Sequence, residues 1–513
     1  MEKKHQVVFI MTDTTRYDMV GCYGNSDMKT PCIDRLAAEG VRYSKAYSCQ
    51  PVCGPARSAI FTGLYPHSNG SFTNCVPLWS GVKTVGERLS GKGVHSVYIG
   101  KWHLDGGDYF GNGICPEGYD ERYWFDMKCY LDELSDEEKI KSRKESSSLE
   151  DGGIDETFTF GHRIAQRAIN FLSSEGKDED FFLTVSFDEP HQPYLCPEPF
   201  ASMYEGYELP ITPAYYDTLE GKPLLEKLWA GKNLHEDKSK LSIKPQLFLG
   251  CNSFADYEIG RVLDAVREYA PDAMVIFTSD HGEALDAHSL SLKGPSVYEE
   301  ICHIPLIIKG GAYCSAPEGA VYDHVVSHID ITPTILDYFG IPKHPEMPGV
   351  SMRPVIEEPE KNVLHDVVYT EFHRYEIDHD GFGGIQFMRA AITDRYKMAL
   401  FLLDETDELF DTQKDPYELE NLICDESYAE VRDMLHEKIL TMMNDTRDPF
   451  RGYQWRVRNW NRDKVKPDWE CDYCTRQRPT ADDEQRQLDY DTGLPIKEFV
   501  RFKKKYDKPA GTI

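Results

Sequence analysis

Four short apolar runs, each stopping abruptly at polar residues, constrain this chain more than any other feature. Val7 to Met11 is apolar and β-branched and ends at Thr12-Asp13-Thr14-Thr15. Phe181 to Phe187, Val94 to Gly100 and the run from Asp272 through Phe277 follow the same design, the last leading into Thr278-Ser279-Asp280-His281-Gly282. Continuous apolar runs of this length read as strands buried on both faces. Helical periodicity precedes two of them, over His162 to Leu172 and over Asn252 to Tyr269, where Phe254, Ile259, Val262, Leu263 and Val266 recur on one side. Strands alternating with helices predict an α/β fold with a mostly parallel sheet flanked by helices. Ligands bind at the carboxyl ends of the strands in such sheets, and the polar clusters fall there.

The character changes near residue 360. Val367 to Phe372, Phe387 to Ile392 and Tyr396 to Leu402 are strand-like, with a turn at Thr393-Asp394-Arg395, and Tyr428 to Met443 is helical in period. We therefore expect a catalytic domain over 1–360 and a smaller C-terminal subdomain over 361–513 with an antiparallel sheet. The charge-dense residues 131–157, and likewise 221–244, read as a surface insertion or loop. Lys and Arg total 57 against 87 Asp and Glu, a net charge of −30. That balance excludes a nucleic-acid backbone and an anionic membrane surface as partners. A small anion could bind only at a local cluster of positive charge. The polar start and the lack of a run near the roughly 20 apolar residues of a membrane span lead us to expect a cytoplasmic protein. In that setting the 14 cysteines read as mostly reduced thiols.

Asp13 and Asp280 each end a strand-like run. Two carboxylates there suit a hard cation such as Ca²⁺ or Mg²⁺, although an Asp in that position also serves as a helix N-cap. Cys53-Gly54-Pro55-Ala56-Arg57 opens a helix-like run ending at Gly63. Four residues apart, Cys53 and Arg57 share one helix face. Taken alone, Cys53 could equally be a buried thiol beside a turn proline. Lys101 and His103 project to the same side if the chain there is extended. His373 and Arg374, after a strand-like run, are candidates for a substrate pocket. Arg451, Arg456 and Arg458 with Trp455 and Trp460 form a basic aromatic patch suited to a sugar or to packing of the tail. Cys471-x-x-Cys474 is a lone pair, without the second pair a zinc site needs.

Cys-x-Pro-x-Arg followed by Ser58 and Thr62-Gly63 resembles the maturation signature of the type I sulfatases, within the alkaline phosphatase superfamily. Further blocks resemble that family in order: Gly21 to Gly24 with Thr30 to Ala37, Gly100-Lys101-Trp102-His103, Glu189-Pro190-His191-Gln192-Pro193, Thr278 to Gly282 with Lys293 thirteen residues after Asp280, and Glu408 to Asp411 with Asp415-Pro416 and Asn421-Leu422. The pattern is similar to that of the iduronate-2-sulfatase-like glycan sulfatases. The resemblance implies an alkaline-phosphatase-like fold and hydrolysis of a sulfate monoester of a small molecule, a sulfated mono- or disaccharide first, with an arylsulfatase or a phosphonate or phosphate monoester hydrolase as alternatives. An inactive anionic-glycan-binding protein is the alternative outside enzymes. It further implies that Cys53 is oxidised to formylglycine by a maturation enzyme, a partner that reads Pro55 and Arg57, and that the aldehyde hydrate is the nucleophile. Asp13, Asp280, His281 and Thr14, with Cys53, would surround the metal, Ca²⁺ or Mg²⁺. Thr14 stands where many relatives carry a second Asp, which puts the ligand count in doubt. Lys101, His191 and Lys293 would bind sulfate, His103 would take a proton from the hydrate, and His191 would serve as general acid. Homo-oligomerisation is left open.

Overall fold

The computed structural model describes residues 3–107, 109–150, 152–235, 237–376, 385–462 and 493–494. Cys471 and Cys474 lie outside them. The chain forms two compact units, Met1–Ile439 and Leu440–Ile513.

The first unit is built on a sheet of eight strands: β1 (Gln6–Thr12), β2 (Val41–Tyr47), β3 (His95–Gly100), β4 (Phe181–Ser186), β5 (Met274–Ser279), β6 (His303–Lys309), β7 (Ala320–Tyr322) and β8 (Val326–Ser327). The order is β3-β4-β1-β5-β6-β2-β7, with β8 also paired to β2. Pairing is parallel except on the two sides of β6. The four anticipated strands are β1, β3, β4 and β5, side by side at the centre and one end. The strands with weaker apolar runs lie beyond β5.

Helices α1 (Pro31–Ala38), α2 (Cys53–Thr62), α3 (Phe160–Ser173) and α4 (Gln246–Tyr269) matter most for the site. Because side chains alternate along a strand, β1 feeds two cores. Val7, Phe9 and Met11 pack with Ile60 and Phe61 of α2 and with Ile331 and Ile335. Val8 and Ile10 pack on the opposite face with Ile33 and Leu36 of α1, Ile164 and Phe171 of α3, and Ile259 and Val262 of α4. Burial on both faces is why these runs carry no alternation.

Residues 131–157 and 221–244 are helical in large part, unlike the loops expected. Helices span Met127–Asp132, Asp136–Lys141 and Leu224–Ala230. A capping box between Ser135 and Glu138 starts the second of these, so local hydrogen bonding, rather than an apolar stripe, specifies it.

A second sheet, antiparallel in the order β12-β11-β10-β9, comprises β9 (Val368–Arg374), β10 (Ile385–Ile392), β11 (Tyr396–Phe401) and β12 (Glu408–Asp411). Phe372, Met388, Phe401 and Phe410 of this sheet share a core with Val52, Ala284, Tyr298 and Val325. β9 also braces the segment leading to α2: Glu371 N–H donates to the Cys49 carbonyl at 2.8 Å and Thr370 Oγ1 to the Ser48 carbonyl at 2.7 Å. Helix Ala429–Asp445 closes the run of anticipated elements. In the second unit Trp455 is buried and its indole donates to the Phe450 carbonyl, which makes it a packing residue. No helix of the described residues is long and apolar enough to cross a membrane.

Phe171 lies wholly inside the α3 core, edge-on to Phe181, Tyr123 and His95. Phe171→Ala is expected to cost about 3–5 kcal/mol in a urea titration. Activity per folded molecule should be unchanged, since no contact of Phe171 reaches the strand ends.

Candidate active site

The register of β1 on β5 pairs Thr12 with Ser279. The next residue of each strand is an aspartate, so Asp13 and Asp280 emerge side by side. Both are wholly buried. Arg57 reaches them from α2: Nη2 lies 3.0 Å from Asp13 Oδ2 and Nε 3.0 Å from Asp280 Oδ2. Its Nη1 donates to the Lys101 carbonyl at 2.7 Å and to Ser186 Oγ at 2.8 Å. One guanidinium therefore joins the ends of β1, β3, β4 and β5.

Cys53 opens α2, one turn before Arg57. Its Sγ is 3.2 Å from His281 Nε2 and 3.7 Å from Asp13 Oδ1. The helix has no side-chain N-cap of its own. Instead Asn74 Oδ1 accepts from Gly54 N–H at 2.9 Å. A Cβ on Gly54 would sit 3.1 Å from that oxygen and 3.3 Å from the His103 carbonyl, so glycine allows the close approach of three segments. Burial and the Asp13 charge oppose a Cys53 thiolate, yet Lys293, Lys101 and His281 together hold its pKa well below the ordinary thiol value.

Asp13, Cys53, Asp280 and His281 bring one donor atom each within 4.8 Å of one another, all buried. Burial, then the Asp13 charge, push the Asp280 carboxyl up to about 7. Burial acts against Asp13 as well, but Lys101, His191 and Arg57 hold it well below the usual carboxylate range. Two buried carboxylates converging with an imidazole fit a divalent cation, which would relieve their repulsion. Thr14, at φ 74°, donates its hydroxyl to Asp13 Oδ1 at 2.7 Å and its N–H to Asp280 Oδ1 at 3.2 Å. It thereby orients both carboxylates.

Two lysines join this group. Lys101 Nζ is 2.8 Å from Asp13 Oδ2 and 3.0 Å from Asp188 Oδ1. Burial disfavours its charge, but these two carboxylates raise its pKa well above the usual lysine value. Lys293, also buried, is likewise raised, because Cys53, Tyr375 and Asp13 outweigh burial. Its Nζ is 3.3 Å from His191 Nε2. His191 Nδ1 lies 2.9 Å from the Gln192 carbonyl. That carbonyl fixes the tautomer with the proton on Nδ1, leaving Nε2 to accept from Lys293. β3 ends at Gly100, so Lys101 and His103 are not two residues of one extended strand. At φ 117° a Cβ on Gly100 would meet the Ser186 carbonyl at 1.9 Å, and His103 turns at φ 60°. Both His103 nitrogens are buried with no hydrogen-bond partner, a costly state that a bound group would relieve.

The structure thus brings together Asp13, Thr14, Cys53, Arg57, Lys101, His191, Asp280, His281 and Lys293, with His103 beside them. His373 is not brought into the group. It is 1% exposed, with Nδ1 on Gln50 Oε1 at 3.2 Å and Nε2 accepting from Arg389 at 2.9 Å. Burial, then Arg389, hold its pKa well below the usual histidine value. It sits in the second sheet as a neutral packing residue, because β9 turns that face inward. Three contributors were not anticipated: Asp188, Tyr109 and Ser186. Asp188 follows the Phe181 to Phe187 run just as Asp13 follows β1, so the strand-end pattern could have found it. Tyr109 hydrogen-bonds Asp188 and lies under Lys101 Nζ, 4.1 Å from its ring centroid. Nothing in its sequence context marks it.

Comparison with known proteins follows from this geometry. The sulfatase family model matches residues 5–341, and the model of the C-terminal part of N-sulphoglucosamine sulphohydrolase matches residues 294–445. The uncharacterized sulfatase YidJ of Escherichia coli strain K12 is 42% identical over 500 residues, covering 96% of this chain and 97% of that one. A solved structure in complex with its substrate D-glucosamine-2-N,6-O-disulfate superimposes with a TM-score of 0.71 at 21% identity, over 87% of this chain and 99% of its own. The phosphonate monoester hydrolase of Agrobacterium radiobacter gives a TM-score of 0.74 at 23% identity, over 86% of this chain and 96% of its own.

Glu189, next to Asp188, is buried, with Oε1 on Gly161 N–H at 2.8 Å and Oε2 unpartnered. Burial, then the Asp188 charge, push its carboxyl from 4.5 up to about 8. Between those values the native state holds a proton that the unfolded chain has released, so stability falls as pH rises. Glu189→Gln should therefore match the wild type near pH 5. It should be more stable by a few kcal/mol, on the order set by that shift, near pH 8. Urea midpoints across that range test it, and equal slopes for the two proteins would contradict it.

Proposed function

This chain belongs to the sulfatase family of sulfuric ester hydrolases, and we propose that it removes sulfate from a small sulfated saccharide with a formylglycine made from Cys53. The observation that carries this reading is the position of Cys53. It stands at a helix N-terminus, close to two buried carboxylates and a histidine, and within the field of Lys101 and Lys293. A saccharide is favoured by the match of residues 294–445 to the C-terminal part of a sulphoglucosamine sulphohydrolase and by the sulfated glucosamine bound in a protein of the same fold.

A sulfate ester is a stable anion, so its cleavage needs charge neutralisation, a nucleophile and a proton for the leaving alcohol. Formylglycine, made by a maturation enzyme, hydrates to supply one hydroxyl for attack on sulfur and a second whose deprotonation releases the sulfate. A divalent cation, calcium or magnesium, held by Asp13, Asp280 and His281 supplies charge neutralisation for the attacking hydroxyl and the sulfate oxygens. Arg57 keeps the two aspartates in place. Lys101 and Lys293 bind sulfate oxygens, with Asp188 and Tyr109 fixing the Lys101 ammonium. His103, whose nitrogens have no protein partner, accepts a proton from the hydrate. The proton shared between His191 Nε2 and Lys293 Nζ is the one given to the bridging oxygen as the alcohol leaves.

Protein co-expressed with a maturation enzyme should release sulfate from at least one member of a panel of sulfated uronic acids and hexosamines, an aryl sulfate and an aryl phosphonate. Cys53→Ala should lose roughly three orders of magnitude or more, and a chelator should abolish release until Ca²⁺ or Mg²⁺ is restored. Turnover of the aryl sulfate alone would remove the saccharide assignment. Turnover of the phosphonate alone would move the chemistry to the phosphoryl branch.

A further inference from the structure

Among the described residues Arg143 is an unpaired cation beside the rings that border the site. It follows the helix Asp136–Lys141 and is half-buried. Its guanidinium carbon lies 5.2 Å from the Tyr109 ring centroid and 5.1 Å from that of Phe110, two rings at 84° to each other. Tyr109 is the ring that also carries Lys101 Nζ, bonds Asp188 and faces the His191 ring at 5.0 Å. Among the described residues the Arg143 side chain forms no ion pair and no hydrogen bond. In a protein of net charge −30 that is a selective arrangement. Several cations nearby in sequence are engaged elsewhere: Lys139 of the insertion pairs with Asp136, Lys128 just before it with Asp132, and Arg163 and Arg167 of α3 with Glu133.

The insertion holds Arg143 firmly. Lys141 Nζ donates to the Gly153 carbonyl at 3.0 Å, Ser142 Oγ to the Lys139 carbonyl at 2.8 Å, and Ser147 Oγ to the Lys141 carbonyl at 2.8 Å. The aromatic corner fixes the stem and plane of the guanidinium and leaves its N–H fork to a ligand. A planar fork of this kind takes a carboxylate or sulfate bidentately.

We infer that Arg143 forms a subsite for a second anionic group of the substrate, a carboxylate or a further sulfate, so that the preferred ester carries at least two negative charges. This rests on the sulfatase reading for the first charge only. Lys101 holds the scissile sulfate and Arg143 the second group, both cations lying against the same Tyr109 ring.

Two arms test it. In the first, kcat/KM is compared for Arg143→Met and wild type on three esters: N-acetylglucosamine 6-O-sulfate, glucosamine 2-N,6-O-disulfate and a 2-O-sulfated uronate. Methionine keeps the apolar stem packing. A loss of about 10- to 100-fold on a doubly charged ester, with the singly charged one within about twofold, supports the subsite. Which ester suffers identifies the second group as sulfate or carboxylate. Equal losses on all three, or no loss on any, overturn it. In the second arm the same comparison is made by equilibrium binding to Cys53→Ala protein, with and without Arg143→Met. There a selective weakening of the doubly charged ligands supports the subsite even if no ester is turned over, and its absence overturns the subsite even if all are. Failure of the sulfatase chemistry and failure of the subsite thus give different results.

Discussion

The Arg57 guanidinium between Asp13 and Asp280 is the interaction on which the site depends. The pairing of β1 on β5 forces two wholly buried carboxylates together. Unpaired, they would not both stay ionised. A cationic fork with donors in fixed directions offsets their repulsion and spends its remaining donors on Lys101 and Ser186. Removing one member of such a buried pair leaves an uncompensated charge, at a cost of about 3–5 kcal/mol. Arg57 can reach both aspartates only if α2 is seated over the strand ends, and that seating delivers Cys53 one turn earlier. Sheet register and nucleophile position are therefore one constraint.

The second sheet bears on the same constraint from behind. β9 takes the carbonyls of Ser48 and Cys49 just before α2 begins, and the Tyr375 carbonyl accepts from Asn74 N–H. Asn74 in turn caps the helix at Gly54. The start of α2 is thus held at its own backbone groups, by the β9 main chain and by the side chains of Thr370 and Asn74. Rigid support of this kind suits a residue that must present a reactive group within tenths of an ångström.

The central strands were legible because burial on both faces leaves an unbroken apolar run, and the run's end marks the site. Asp13, Asp280 and Lys101 could be read that way. The outer strands β2 and β6 to β8 were not, since β2 mixes Arg42, Ser44 and Lys45 into a half-exposed pattern. The insertion over 131–157 was read as loop because its helices rest on caps and ion pairs rather than an apolar stripe. His373 shows the opposite failure. A histidine after a strand run looks like a ligand, but residue alternation puts it on the face of β9 opposite Phe372, where Arg389 and Gln50 satisfy it. Tyr109 and Arg143 carry no local signal at all, because their meaning comes from which strand ends the loops cross.

Net charge sets the remaining problem. An exterior of −30 repels a sulfated ligand, yet that repulsion is screened beyond about 8–10 Å at ordinary ionic strength. Inside the site the balance reverses over short distances. Lys101 and Arg57 stay charged because Asp13, Asp188 and Asp280 hold them so, not because solvent does. These two cations are already paired, so an entering sulfate must share Lys101 with a carboxylate, whereas Lys293 has His191 as its hydrogen-bond partner. Asp13 and Asp280 would hold a divalent ion, whose charge would draw on the same carboxylates and ease that competition. The acidic groups then act as a scaffold that keeps the cations charged until an anion arrives. Selectivity has to come from contacts made at van der Waals range, with groups whose donors are still uncommitted.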